Sequence, residues 1–227
     1  MTERCRIGVL GGTGAEGGGL ALRWANAGHE VTIGSRDAGK ATAAAETLNR
    51  LLPGSVKIRG GTNEETARAA DIIVLTVPPQ AQAATAAAVR EHLEGKILID
   101  VTAPLVPPRV DVVQLPNGES IVYALQRTLG PGVRVVSAFQ NVSERHLRDL
   151  SHRVDCDVLV CGDDAKARET VVGLARDIGL TAWHAGALAN SAAVEALTSV
   201  LIAINKRYKV PASGIRITGV PGTEKKE

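Results

Sequence analysis

A glycine-rich stretch near the start of the chain constrains the fold more than any other feature. Residues 7–10 form an apolar run that is typical of a short buried strand. Gly12, Gly14 and Gly17 follow in the spacing G-x-G-x-x-G. The first glycine permits a tight turn, the second lets the backbone approach a pyrophosphate, and the third lets a helix pack close to the strand. Because this motif requires a strand before it and a helix after it, the stretch predicts a dinucleotide site at a helix N-terminus.

The end of the next predicted strand, residues 30–34, indicates which dinucleotide is bound. Enzymes selective for NAD carry an Asp or Glu there, which holds the ribose 2′-hydroxyl. This chain instead has Ser35 and Arg36, with Lys40 about one turn later, and these groups suit a 2′-phosphate. Asp37 is expected to cap the Ala-rich helix that follows. The pattern therefore predicts NADP, and the alternative is that Arg36 and Lys40 are only solvated surface charges.

Predicted strands alternate with predicted helices along most of the chain. The strands are expected at residues 7–10, 30–34, 56–59, 71–77, 96–101, 134–139, 158–161 and 181–184. Thr62 and Glu65 form a capping-box pattern that opens a short helix. The alternation predicts an α/β fold, a doubly wound, mainly parallel sheet of the Rossmann NADP-binding type with a small C-terminal helical part. We expect residues 1–185 to form the NADP-binding domain, and residues 186–227 to contribute the substrate pocket and a dimer contact.

A long C-terminal helix is predicted from Asn190 onward. Its apolar residues recur at three- and four-residue spacing, at Val194, Leu197, Leu201, Ile204 and Tyr208, and several positions between them are also apolar. A helix that is apolar nearly all round is expected to be buried. It would therefore either plug the domain or pack in a subunit interface.

Composition excludes several classes of protein. Aromatic residues make up 2% of the chain, which argues against nucleic-acid binding by base stacking. The net charge is +2 and the basic residues are scattered, so neither nucleic acid nor a membrane surface is an expected partner. The sequence has no run of 18 uninterrupted apolar residues, so no membrane-spanning helix is predicted. The first six residues leave no room for a signal peptide, and none is expected. The three cysteines have no metal-binding spacing, and reduced thiols in a cytoplasmic protein are expected.

No catalytic side chain is predicted. The motifs of serine hydrolases, zinc proteases and Walker-type nucleotide hydrolases are missing from the sequence. The five histidines have no spacing that suggests a metal site, so none is predicted, and His29 is expected at the surface. Asp100 would be either an acid or a hydrogen-bonded structural carboxylate. Hydride transfer between two bound rings needs proximity and orientation more than a protein proton donor, and it fits this pattern.

Two strand ends that stop at prolines are expected to frame one crevice. In a doubly wound fold the ligand lies beyond the carboxyl ends of the strands. Residues 76–79 follow a strongly apolar strand and should touch the middle of the cofactor, and residues 102–107 follow the next strand along the chain.

The sequence resembles the NADPH-dependent F420 reductases, also called F420H2:NADP+ oxidoreductases. The resemblance rests on motifs that occur in the same order over most of the chain: GGTG at 11–14 with Gly17, GHE at 28–30, GSR at 34–36, LTVP at 75–78, PLVP at 104–107, VVSA at 135–138, VCGDD at 160–164 and NS at 190–191. Such enzymes transfer a hydride between the nicotinamide ring and C5 of a deazaflavin, the coenzyme F420. The resemblance also implies a homodimer, with the C-terminal helical part at the subunit contact.

The motif and the resemblance together imply two sets of binding residues. The cofactor-binding set is Gly12, Thr13, Gly14, Ala15, Glu16, Gly17, Ser35, Arg36, Lys40, Thr76, Val77, Pro78, Pro79 and Ala83. The resemblance places Leu105, Val106, Gln140, Asn141 and Val142 beside the second ring.

One position leaves the hydride acceptor open. Archaeal members of the family have a His-Thr pair where this chain has Gln140 and Asn141, whose amides form hydrogen bonds but do not titrate near neutral pH. The reductase domains of membrane metalloreductases, whose acceptor is a flavin, also have an amide residue there. The alternatives to a deazaflavin are therefore a flavin, a pterin or another planar ring. A non-catalytic NADP-binding sensor is a further alternative.

Overall fold

A computed structural model describes residues 3–54 and 56–220 of the chain as a single eight-stranded sheet with helices packed on it. The strands are β1 (Arg6–Leu10), β2 (Glu30–Ser35), β3 (Arg59–Thr62), β4 (Ile72–Leu75), β5 (Ile97–Asp100), β6 (Arg134–Ser137), β7 (Asp157–Gly162) and β8 (Thr181–His184). The α-helices are α1 (Ala15–Asn26), α2 (Ala38–Asn49), α3 (Asn63–Ala69), α4 (Pro79–Ala88), α5 (Ile121–Leu129), α6 (Ala165–Asp177) and α7 (Ser191–Tyr208).

The strand order is β3-β2-β1-β4-β5-β6-β7-β8. Every neighbouring pair is parallel except β6 and β7, which are antiparallel. The predicted doubly wound, mainly parallel sheet is therefore confirmed. Because the chain runs outward from β1 to β3 and then returns to place β4 on the other side of β1, the switch point lies between β1 and β4. Ligands bind at such a point in open α/β sheets.

The sheet separates two apolar cores. Along β4, Ile72 and Val74 belong to one buried cluster, and Ile73 and Leu75 belong to the other. Side chains that alternate between faces in this way show that both faces of the strand are covered, as expected for a parallel sheet.

Three consecutive glycines in α1 allow close packing on two sides. A methyl group at Gly17 would overlap the hydroxyl of Thr76, one at Gly18 would lie 2.9 Å from the Arg148 guanidinium, and one at Gly19 would overlap the side chain of Leu147. The glycine run therefore brings α1 against the end of β4 and against the segment that follows β6.

Local signals in the sequence placed the helix ends well. Gly28 has a φ of 97° just after α1, and the Asp37 side chain accepts a hydrogen bond of 3.1 Å from Lys40 N at the start of α2. Thr62 and Glu65 form the complete capping box. These predictions are confirmed because caps depend on residues only a few positions apart.

Some predictions were wrong. The third strand is Arg59–Thr62 and not residues 56–59, because the pairing with β2 aligns Gly60 with Ile33 and Gly61 with Gly34. A methyl group on Gly60 would lie 2.5 Å from the backbone of α2, so this strand needs glycines that a pattern of apolar residues overlooks. His29 is not at the surface: it is 3% exposed, and its Nε2 lies 3.3 Å from Asp177.

The C-terminal helix α7 is only partly buried. Its inward residues include Val194 and Leu201, whereas Val200 is 44% and Tyr208 is 72% exposed. Of the two alternatives that the apolar pattern left open, a helix that plugs the domain does not account for the exposed outer face, and packing in a subunit interface stays a prediction. Among the described residues, the segment Leu188–Tyr208 is long and apolar enough, by length and composition, to cross a membrane. That property is weak evidence, because helices at cores and interfaces share it.

The chain after α7 folds back along the sheet. Ile215 O accepts a hydrogen bond of 2.8 Å from Asp157 N, and Ile217 N donates one of 2.8 Å to the Asp157 carboxylate. These residues pack beside the start of β7. Residues 221–227, the end of the predicted second part of the chain, lie outside the described residues, and the division at residue 185 stays a prediction.

The contact between α1 and Leu147 can be tested with Gly19→Ala. We expect the free energy of unfolding to fall by about 1–3 kcal/mol, because the added methyl group overpacks a closed contact. The matched control is Gly39→Ala in the exposed first turn of α2. This variant should lose no stability, because alanine is more favourable than glycine in a helix by about 1 kcal/mol. Denaturant unfolding of both variants measures the difference, and a Gly19→Ala protein as stable as the original would contradict this account.

Candidate functional site

A large cleft runs across the carboxyl ends of the parallel strands, at the switch point. Its volume is about 1050 Å³, which is at the upper end of the range for single small-molecule sites, about 300–1,000 Å³. The glycine loop and the ends of β2 and β4 form one end. The segments after β5 and β6, together with α7, form the other. The cleft therefore extends from the glycine loop to the inner face of α7.

Most of the predicted binding residues line this cleft. From the cofactor set these are Thr13, Gly14, Ala15, Glu16, Ser35, Arg36, Thr76, Val77, Pro78 and Pro79. From the acceptor set they are Leu105, Gln140, Asn141 and Val142. The structure thus brings together residues that are up to about 130 positions apart in the sequence, as expected where parallel strands end at one edge.

Five predicted residues lie outside the cleft lining: Gly12, Gly17, Lys40, Ala83 and Val106. The two glycines act through packing, since a methyl group on Gly12 would lie 2.7 Å from the side chain of Ile33. The other three are exposed to solvent. Lys40 nevertheless begins one turn beyond Arg36, so its side chain stays a candidate for the 2′-phosphate.

The end of the cleft beside β2 carries Ser35, Arg36 and Asn63. No hydrogen bond or ion pair joins the Arg36 guanidinium to another described residue, so it is available to a ligand. Asn63 was not predicted. Its enclosed Oδ1 has no hydrogen-bond partner among the described residues and would lie 2.8 Å from a methyl group on Gly34. Glycine at position 34 therefore makes room for this amide beside the predicted 2′-phosphate site.

The N-terminus of α1 presents backbone N–H groups to the cleft. The first N–H groups of a helix have no partner within the helix, and Gly14 at the N-cap has no side chain to satisfy them. Glu16 lies half-buried in the same turn. Burial, followed by repulsion from Glu144 and Asp100, raises the pKa of Glu16 to about 8. This carboxyl group is therefore largely neutral at pH 7.

The segment that follows β6 is held rigidly against α1. Phe139 has a φ of 74° and packs edge-on against Trp24, with ring centroids 5.7 Å apart. Arg23 is 8% exposed and donates four hydrogen bonds of 2.7–2.9 Å to carbonyl groups between residues 146 and 152. A left-handed residue and a buried guanidinium thus fix the path of this wall of the cleft.

Asp100 proves to be a hydrogen-bonded carboxylate at the base of the cleft. It is fully buried and accepts hydrogen bonds from Gln82 Nε2 at 2.6 Å and from Thr102 Oγ1 at 2.7 Å. Burial raises its pKa to about 6, although these hydrogen bonds oppose the change. Among the two readings that the sequence left open, the geometry favours the structural one.

Gln140 and Asn141 have fixed amide orientations. Gln140 Nε2 donates to Asp100 O at 2.9 Å and to Ser137 Oγ at 2.8 Å, and Asn141 Nδ2 donates to Asp157 O at 2.7 Å. Both side chains are at least 95% buried. Both amides therefore hold their part of the cleft wall in place by donating hydrogen bonds, and these bonds do not depend on a change of protonation near neutral pH.

Helix α7, in the part of the chain that was expected to contribute to the substrate pocket, supplies a wall of the cleft, although none of its residues was named in advance. Thr198, Leu201, Ile202, Asn205 and Lys206 line the cleft, and Thr198 Oγ1 donates to Gln140 O at 2.9 Å. Their spacing of three and four residues marks one helix face, but an apolar helix gave no sign that this face meets a ligand. The side chains at Ser143, Glu144 and Arg145 were also missed, because they belong to an irregular segment.

Glu195 anchors α7 to the start of α5. It is 1% exposed and accepts hydrogen bonds from the Ser120 hydroxyl, and from Ile121 N at 3.0 Å and Val122 N at 3.3 Å, at the start of α5. Burial raises the pKa of Glu195 to about 7, and the three donors oppose that change. A carboxyl group of α7 thus caps another helix and fixes the position of the cleft wall.

Comparison with known proteins identifies relatives over nearly the whole length. The sequence profile of the family described as "NADP oxidoreductase coenzyme F420-dependent" matches residues 6–104. The F420-dependent NADP reductase of Methanothermobacter thermautotrophicus is 42% identical over 225 residues, covering 96% of this chain and 97% of the relative. The metalloreductase STEAP3 of Rattus norvegicus is 30% identical, over 92% of this chain but 39% of its own length.

A solved structure shares the architecture. The crystal structure of a candidate F420-dependent NADP reductase from Arthrobacter sp. FB24 superimposes with a TM-score of 0.79 at 28% sequence identity, covering 95% of this chain and 100% of that one.

The raised pKa of Glu16 predicts a pH-dependent affinity for NADPH. In the free protein the carboxyl group ionises as the pH rises through about 8, and the new negative charge then opposes a diphosphate at the same turn. The complex therefore holds this proton more tightly than the free protein. Between pH 7 and 9.5 affinity should fall with rising pH, by at most about tenfold per pH unit for one linked proton.

Fluorescence titrations of NADPH across this range measure the effect. Glu16→Gln should flatten the dependence, whereas Glu46→Gln, on the exposed surface of α2, should leave it unchanged. If Glu16→Gln kept the full slope, another group would be responsible.

Proposed function

This chain belongs to the coenzyme F420-dependent NADP oxidoreductases, and we propose that it transfers a hydride between NADP(H) and the deazaflavin coenzyme F420. The observation that carries the proposal is a single cleft that joins a dinucleotide motif to a second, ring-sized space. A relative that is 42% identical over nearly the full length of both chains is named as an F420-dependent NADP reductase, and the doubly wound sheet supports the same activity.

NADP is expected to lie along the carboxyl ends of β2, β1 and β4. Its diphosphate would rest on the N-terminus of α1, where backbone N–H groups and the helix dipole favour an anion. Ser35 and Arg36 would hold the 2′-phosphate, with Lys40 nearby. Thr76, Val77 and Pro78 would direct the nicotinamide toward the other half of the cleft.

The acceptor ring is expected between the ends of β5 and β6 and the inner face of α7. Leu105 and Val142 offer apolar surfaces to a planar ring, and Leu201 with Ile202 would cover it from α7. Apolar walls on both sides would bring two rings together, and hydride transfer depends on that proximity. The protein would act by orientation, with no side chain as a covalent participant.

The exposed face of α7 supports a homodimer. Val200, Ile204 and Tyr208 recur every fourth residue and therefore share a face, and they are 37–72% exposed. Val112 and Val113, in the loop before α5, are 39% and 43% exposed. Apolar stripes of this kind mark interaction surfaces, and we propose that a second copy of the chain covers this one. We also propose a cytoplasmic location, because all three cysteines are free thiols.

The proposed reaction can be tested by following NADPH absorbance at 340 nm with purified protein. Coenzyme F420 should be reduced rapidly, and NADH should replace NADPH with a loss of at least about tenfold in kcat/KM, because it lacks the 2′-phosphate that charged side chains bind. Free flavins and pterins form the comparison panel. Turnover with a flavin alone would assign the cleft to that acceptor, and tight NADPH binding without turnover on any ring would favour a sensor.

The proposed dimer can be tested by sedimentation. The protein should have twice the mass of one chain, and Ile204→Asp should give a monomer, because a carboxylate on the apolar stripe would be buried without a partner. Leu51→Asp is the matched control, since Leu51 is also exposed, at 49%, but lies just after α2 and not on α7. A native protein that sediments as a monomer would overturn the proposal.

A further inference from the structure

We propose that Arg145 binds the diphosphate bridge of the dinucleotide, held over the N-terminus of α1 by a preformed loop. This inference rests on the proposed NADP site. It adds a contact from the segment after β6 to a site that the motif alone would build from α1. We call residues 143–149 the phosphate strap.

The position of the strap is fixed by contacts of the residues that follow Arg145. Ser143, Glu144 and Arg145 line the cleft. Leu147 packs where a side chain on Gly19 would overlap it, and Arg148 Nη2 donates to Gly14 O at 2.9 Å. The strap thus crosses the first turns of α1, and Gly14 is the residue whose backbone the motif brings to a pyrophosphate.

The strap is organised before any ligand binds. Arg23 donates to the carbonyl groups of His146 and Leu147, both at 2.9 Å, and of Asp149 at 2.7 Å. These bonds use the backbone of the strap and do not engage the side chain of Arg145. A loop that is already ordered costs little conformational entropy when it binds a ligand, so a cation carried on it can contribute most of its contact energy.

Charge around the first turn of α1 requires such a cation. Glu16 and Glu144 both lie on the cleft wall, close enough for Glu144 to raise the pKa of Glu16. Glu16 is largely neutral at pH 7, so the carboxylate of Glu144 and the two negative charges of a bound diphosphate are the charges to be balanced. The helix dipole is equivalent to about half a positive charge and the Arg148 guanidinium lies at Gly14 O, so one more cation would favour the diphosphate.

Arg145 is the cation that the cleft offers there. No hydrogen bond or ion pair joins its guanidinium to another residue within 3–54 or 56–220. The other cations of the lining are committed or distant. Lys206 is paired with Asp111 at 3.0 Å, and Arg36 lies at the end of β2, beside the expected 2′-phosphate. A guanidinium can bind two phosphate oxygens at once, and this geometry favours it over a point charge.

The test compares two ligands that differ in the diphosphate. NADPH contains it, whereas adenosine 2′-monophosphate carries the 2′-phosphate alone. With Arg145→Gln, the Kd for NADPH should rise by about tenfold, the effect of losing one charged hydrogen bond, and the Kd for adenosine 2′-monophosphate should stay within twofold. Glu144→Gln should lower the Kd for NADPH, because it removes a repulsive charge from the same strap.

Two control variants separate this contact from other effects. Arg153→Gln changes an exposed arginine of the same region that does not line the cleft, and it should alter neither Kd. Arg36→Gln should weaken both ligands, since both carry the 2′-phosphate. Arg145→Lys should restore part of the lost affinity, because it keeps the charge without the bidentate geometry.

Each outcome bears on one proposal. If Arg145→Gln weakens both ligands equally, or neither, the strap does not bind the diphosphate and the inference is overturned. If the unaltered protein binds neither ligand, the proposed NADP site itself is wrong. Thermal unfolding of each variant checks that the fold is retained, and a Glu144→Gln protein with weaker NADPH binding would also contradict the inference.

Discussion

The close packing of the segment after β6 on the glycine face of α1 is the contact on which the cleft depends. Arg23 reaches out of α1 to four carbonyl groups of that segment, and Gly18 and Gly19 remove the side chains that would hold it away. A buried guanidinium costs desolvation energy, which its hydrogen bonds offset. This arrangement places a structural wall directly over the helix end that would receive a phosphate.

The same packing explains why α1 can contain three glycines. In an isolated helix each glycine would cost about 1 kcal/mol relative to alanine. Here each position faces a different partner, namely the hydroxyl of Thr76, the guanidinium of Arg148 and the side chain of Leu147. The three glycines lower the helix propensity of α1, but they allow tertiary contacts that a side chain would block. The helix that begins at the dinucleotide motif is therefore also the surface on which a distant part of the chain packs.

The second half of the cleft depends on α7. Glu195 ties this helix to the start of α5, and Thr198 ties it to the backbone of Gln140. Its inner face therefore lines the cleft while its outer face carries the exposed apolar stripe. One helix serves the site and the proposed subunit contact, so the two are expected to be coupled.

Features that depend on residues close together in the chain could be predicted from the sequence. The strand–glycine loop–helix unit, the caps at Asp37 and Thr62, and the alternation of strands and helices all follow from residues a few positions apart. The resemblance of the sequence to the F420-dependent NADP reductases also indicated NADP and coenzyme F420 as the two co-substrates. The third strand was misplaced because Gly60 and Gly61 have no apolar pattern, and their place is set by pairing with β2.

Contacts between residues that are far apart in the chain became known only from the tertiary structure. Arg23 is joined to carbonyl groups more than 120 positions away, Glu195 to an N-terminus 74 positions away, and Glu16 faces Glu144 across the cleft. No local spacing encodes these pairs, because each depends on how helices settle on the sheet. The buried position of His29 and the half-exposed state of α7 were decided in the same way, since burial is a property of the assembled layers and not of a residue's own pattern.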